Sequence, residues 1–150
     1  MSRRGDPSLE DAIALAVSAH RGQRYPTLEL GREPFVLHPL RVMLPVSDDT
    51  DRVVAVLHDI VEDTDVSLAR LASLGYSKAV VEAVDAMSRR DGEPYEDYIE
   101  RVSRNAIARR VKLADLADNL ANNRGFDTPE GERARRRRWQ LAVRRLRVAD

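Results

Sequence analysis

Three histidines and a crowd of acids carry the reactive chemistry of this 150-residue chain. His58 lies four residues before Glu62, and Asp59 lies three and four before Glu62 and Asp63, so on a helix these side chains are neighbours. Three carboxylates at that spacing repel one another. A divalent cation would turn the repulsion into attraction, whereas a solvated acidic face would merely screen it. His38 precedes Pro39 at a helix start, where it either caps the helix or serves as a further ligand. Asp115 falls in the segment 106–122, which is apolar around most of its circumference, and a buried acid is normally paired or bound to a metal. The chain has no cysteine, so a metal could be held only by His, Asp and Glu. The set His38, His58, Asp59 and Asp115 suits manganese or iron and leaves coordination positions for water and substrate. His20 continues the apolar face of the first helix and reads as a core or supporting histidine bonded to a neighbour.

Positioning these residues falls to helices. Apolar spacing is helical nearly throughout, with no alternating stretch of strand length and no internal repeat, so the expectation is an all-α bundle of about eight helices, give or take one. The first starts near Asp6, Pro7 and Ser8 and ends at Gly22; a loop over residues 23–34 follows. His38 and Pro39 open a short helix that stops by Pro45. Thr50 is expected to cap a helix over 51–63, with Val53, Val54, Leu57, Ile60 and Val61 as its buried stripe. Short helices are expected over 67–74, 77–87 and 94–102. Asn105 caps the segment 106–122, whose narrow polar line is Lys112, Asp115, Asn119 and Asn122. A structural pairing of Lys112 or an arginine with Asp115 is the plainer reading of that line. Thr128 and Pro129 open a last, arginine-rich helix over about 128–148.

The stretches Ala19-His20-Arg21-Gly22-Gln23, His38-Pro39, Leu57-His58-Asp59-Ile60-Val61-Glu62-Asp63-Thr64 and Val111-Lys112-Leu113-Ala114-Asp115, with Asn119 after them, resemble the HD-superfamily hydrolase domain of the RelA/SpoT type. The likeness spans about residues 9–124 within a single domain of residues 1–150 and is closest to the stand-alone small alarmone hydrolases. It implies an HD-domain bundle and metal-dependent removal of the 3′-pyrophosphate from (p)ppGpp. By the same resemblance His38, His58, Asp59 and Asp115 hold one manganese or other divalent ion. Glu62 and Asp63 position or protonate groups around the attacked phosphorus. Arg24, Lys112 and Asn119 face the substrate, Arg24 near its phosphates and Asn119 on the nucleoside side. Two departures stand out. Tyr25-Pro26-Thr27-Leu28 replaces a stretch where a further cation is common, and Asp118 stands where an aromatic or His is usual, adding negative charge beside a site for a polyanion. At 150 residues the chain is expected to lack the synthetase and regulatory domains of the long alarmone enzymes.

Two alternatives share parts of this reading. One is an HD phosphohydrolase acting on another nucleotide or phosphate ester. The other is a non-catalytic nucleotide or nucleic-acid binder, suggested by the eight arginines between Arg133 and Arg147. Such a run is more often a solvated face or a surface that pairs with acids, and a formal net charge of zero argues against phosphate neutralisation as the main activity. No stretch is apolar enough for a membrane span or signal segment, so a cytoplasmic protein with a small-molecule nucleotide substrate is expected, its oligomeric state open.

Overall fold

The computed structural model describes residues 5–27, 31–124 and 128–148; Leu28 lies outside these, as do the two extremes of the 1–150 range. Helix α1 (Leu9–Ala19) begins in a reciprocal cap: the Ser8 hydroxyl accepts from the Asp11 amide at 3.0 Å, and the Asp11 carboxylate accepts from the Ser8 amide at 2.8 Å. Ala12 and Ala16 form its buried face. Gly22, at φ +84°, makes the turn that ends this segment.

The loop expected over 23–34 contains a small antiparallel hairpin, β1 (Arg24–Thr27) and β2 (Gly31–Pro34), with Tyr25 opposite Glu33. The chain is mostly helical as expected, and the hairpin is a small addition within the expected loop. Each strand has four residues and includes a proline, so neither carries the apolar alternation that marks a strand. Helix α2 (Leu37–Met43) follows and buries His38, Pro39 and Val42.

Helix α3 (Asp49–Leu57) is capped by Asp48, not Thr50: the Asp48 carboxylate accepts from the amides of Thr50 and Asp51 at 2.9 and 3.2 Å. The single helix expected over 51–63 is also interrupted, and α4 (Ile60–Asp63) forms a separate turn. At the break His58 donates Nδ1–H to the Ala55 carbonyl at 2.6 Å, and Asp59 adopts φ −98°, ψ 0°. On an unbroken helix adjacent side chains diverge by about 100°. The break lets His58 and Asp59 face one point.

The remaining helices are α5 (Leu68–Ser73), α6 (Lys78–Met87), α7 (Tyr95–Ser103), α8 (Ala106–Asn122) and α9 (Pro129–Arg147), making nine among the described residues. Side chains of Ser67, Ser77, Asn105 and Thr128 cap four of them. Helix α8 is central, packing against α2, α3, α6, α7 and α9. Leu57, Ile60, Leu71, Met87, Leu116 and Leu146 are fully buried in one shared core. Helix α9 turns Trp139, Ala142 and Leu146 inward. Arg145 makes a forked pair with Glu100 at 2.6 and 2.9 Å, and Arg136 donates to the Leu120 carbonyl at 2.8 Å, while Arg133, Arg137, Arg144 and Arg147 are exposed. Among the described residues no helix is long and apolar enough to cross a membrane.

Candidate metal centre

Helix α2 contributes His38, the α3–α4 break contributes His58 and Asp59, and α8 contributes Asp115. Donor atoms of His38, His58 and Asp115 all lie within 4.8 Å of one another. The Asp59 carboxylate approaches His58 Nε2 at 3.0 Å and His38 Nε2 at 3.5 Å. Asp115 Oδ1 approaches His38 Nε2 at 3.0 Å and His58 Nε2 at 3.3 Å. The Asp59 side chain retains 19% of its surface, against 2–4% for the other three, so the cluster meets solvent on the Asp59 side.

The protonation pattern tests whether a cation fits. A carbonyl oxygen only accepts, so His58 Nδ1 carries the proton it gives to Ala55. Nε2 of a neutral His58 is then a bare lone pair, buried without a hydrogen-bond partner and facing carboxylate oxygens. His38 repeats the pattern, with Nδ1 2.7 Å from Asp118 and Nε2 aimed at Asp115. Acceptor facing acceptor is repulsive unless a positive charge lies between them. Burial opposes that charge on His58, yet Asp59 and Asp115 push its pKa well above the ordinary value. Burial would raise Asp115, but Lys112 and His58 hold it well below the usual carboxylate range. The donor set therefore fits a divalent cation, with each imidazole anchored through its other nitrogen.

Lys112 is buried and places Nζ 2.7 Å from Asp115 Oδ2, so the pairing its spacing allowed is formed. Asn119 donates to Asp115 Oδ1 at 3.2 Å and accepts from the Tyr25 hydroxyl at 2.9 Å. Arg24 is exposed at the start of β1. Glu62 and Asp63 lie on α4 and line a cleft of about 830 Å³ whose far wall is formed by residues 88–94. The buried His/Asp cluster is not part of that lining. Glu62 accepts the backbone amide of Arg89, tying α4 to the α6–α7 segment. Burial, then the charges of Asp59 and Glu62, push the Asp63 carboxyl up to about 7. His20 Nδ1 lies 2.8 Å from Gln23 Oε1, and Gln23 donates to the Asp63 carbonyl at 2.6 Å, giving the supporting contact expected of that histidine.

Asp118 departs most from expectation. Its charge is not left unpaired, because Arg41 holds the carboxylate through Nε at 2.7 Å and Nη2 at 3.2 Å. Arg41 also pairs with Glu33, and Tyr25 stacks on His38 with ring centroids 4.8 Å apart. Sequence reasoning missed these supports. Asp118 is one turn beyond Asp115 on a mostly apolar helix, and Arg41 one turn beyond His38, which is the signal that could have found them.

No protein-family model matches the chain. It is similar to the guanosine-3′,5′-bis(diphosphate) 3′-pyrophosphohydrolase MESH1 of Danio rerio, 32% identical over 139 residues that cover 85% of this chain and 75% of that protein. It is also 31% identical over 140 residues to the bifunctional (p)ppGpp synthase/hydrolase SpoT of Escherichia coli K12, and 30% identical over 141 residues to a guanosine-3′,5′-bis(diphosphate) 3′-pyrophosphohydrolase of Vibrio cholerae. The chain spans about a fifth of the length of these two bacterial relatives, 19% in each case. A solved structure, described as a metazoan ortholog of SpoT that hydrolyzes ppGpp, superposes with a TM-score of 0.79 at 27% identity and covers 96% of this chain and 89% of its own.

Proposed function

This chain belongs to the family of guanosine-3′,5′-bis(diphosphate) 3′-pyrophosphohydrolases, and from that membership we propose that it hydrolyses (p)ppGpp-type alarmones to pyrophosphate and GDP or GTP. The observation that carries this reading is the meeting of His38, His58 and Asp115 in one buried group, with Asp59 on its solvent side. These four residues would hold one divalent ion, manganese first among the candidates. Such an ion, when bound, acidifies a coordinated water and offsets charge on the phosphoryl oxygens.

The protein's own groups do the rest. The bond that breaks joins the 3′ oxygen to phosphorus; water supplies the new P–O bond, and the 3′ oxygen leaves with a proton. Asp63, whose carboxyl is pushed up by burial and by the charges of Asp59 and Glu62, can take a proton from the attacking water and return it to the departing oxygen. Glu62 fixes the wall of the cleft through the Arg89 amide and so sets where the phosphates lie. Arg24 is assigned to the phosphates and Asn119 to the nucleoside side. Lys112 supports the substrate side through Asp115, whose carboxylate it keeps ionised. A cysteine-free domain acting on a soluble nucleotide would work in the cytoplasm.

The test is a panel of alarmones, ordinary nucleotides and simple phosphate esters offered to manganese-loaded protein. Pyrophosphate is expected from the alarmones, and His58→Ala or Asp59→Ala should abolish turnover together with the stabilisation by manganese. Orthophosphate release confined to the other esters would replace the substrate while keeping the metal chemistry.

A further inference from the structure

The Asp118 carboxylate is used to capacity. Oδ1 accepts from Arg41 Nε at 2.7 Å and Asn122 Nδ2 at 2.8 Å; Oδ2 accepts from Arg41 Nη2 at 3.2 Å and lies 2.7 Å from His38 Nδ1. Its side chain is 7% exposed, so water does not compete for these contacts. Arg41 is itself held on its far side by Glu33. A neutral His38 protonated on Nε2 would set its Nδ1 lone pair against Asp118 Oδ2, two acceptors at hydrogen-bonding distance. Only the Nδ1–H form or the imidazolium is compatible with this wall. Tyr25 stacks on the His38 ring at an interplanar angle of 13° and restricts its tilt.

We infer that Asp118, clamped by Arg41, is a positioning residue for the metal: it fixes the Nδ1–H form of His38 and thereby presents Nε2 to the ion. The inference rests on the reading of His38, His58, Asp59 and Asp115 as one metal centre. It distinguishes the two imidazoles. His58 is anchored by the neutral carbonyl of Ala55, whereas His38 is anchored by the Asp118 carboxylate that Arg41 also holds. It also accounts for an acid placed so near a site for a polyanion: the charge of Asp118 is spent on Arg41 and His38.

The experiment is calorimetric titration of metal-free protein with manganese, on the wild type and Asp118→Asn, a variant that keeps the side chain's size and one acceptor while removing its charge. Loss of an outer partner typically costs about 10- to 100-fold in metal affinity, and a weakening in that range is expected with folding intact by circular dichroism. A wild type that binds one manganese and an Asp118→Asn variant of equal affinity would overturn the inference and leave the metal centre standing. A wild type that binds no manganese would overturn both. Should Asp118→Asn fail to fold, imidazole ¹⁵N spectra of the wild type loaded with diamagnetic zinc decide the matter. A proton on His38 Nδ1 supports the inference, and coordination through Nδ1 refutes it.

Discussion

His58 and Asp59 can address one point only because the helix breaks between them and Asp59 turns back, bringing its carboxylate 3.0 Å from His58 Nε2. Each imidazole spends its other nitrogen on a fixed acceptor, so the atoms left facing inward are lone pairs and carboxylate oxygens. Asp63 supplies a prediction at this scale. The unfolded chain ionises at the ordinary 3.8, whereas the folded protein keeps the proton to about 7. Between those values the folded state binds more protons than the unfolded one. Stability of the metal-free protein through this group therefore falls as pH rises from about 4 to about 7 and then levels. Asp63→Asn lifts that cost. Melting temperatures of the metal-free variant and wild type should coincide near pH 4 and differ, in the variant's favour, at pH 8. An equal difference at both pH values would refute the assignment.

At the scale of elements, the site is a meeting of α2, the α3–α4 break and α8, with the hairpin as a brace that brings Tyr25 to His38 and Asn119 and Glu33 to Arg41. Helix α8 was legible in the sequence because Lys112, Asp115 and Asn119 interrupt an otherwise apolar surface at helical spacing. The hairpin was not, because its proline-containing four-residue strands lack alternation and take their stability from contacts distant in sequence. The break after Leu57 was equally hidden: the apolar stripe continues through Ile60 and Val61, and at the break His58 bonds back to Ala55. Asp118 and Arg41 each sit one turn beyond a ligand, which marks them singly, but their contact spans 77 residues of sequence and only the fold brings the two together. The cap of α3 offers a control. Asp48→Ala should cost about 1 kcal/mol of stability in a denaturant titration, since two amides lose their acceptor, with manganese affinity unchanged. A loss of affinity would mean that the cap and the centre are coupled. Leu116→Ala, in the middle of α8, should cost about 2–5 kcal/mol by the same measurement because its side chain is fully buried.

For the whole molecule, zero net charge conceals a division of labour: acids gather around a cation-seeking centre, while arginines at the periphery pair with single acids or meet solvent. Filling the centre should therefore stabilise the entire fold. Manganese at 100 times its dissociation constant adds about 2.7 kcal/mol, equivalent to roughly 5–10 °C in melting temperature for a chain of this size. That shift should vanish in His58→Ala, and its persistence there would place the ion elsewhere. The most direct measurement of the central claim is hydrolysis of ppGpp by the manganese-loaded protein in ¹⁸O-labelled water, with both products analysed by mass spectrometry. Attack of water at phosphorus, with the 3′ oxygen leaving, predicts GDP without label and pyrophosphate carrying one ¹⁸O. Label in the GDP, orthophosphate as the sole phosphorus product, or no turnover by protein shown to hold its metal would contradict it.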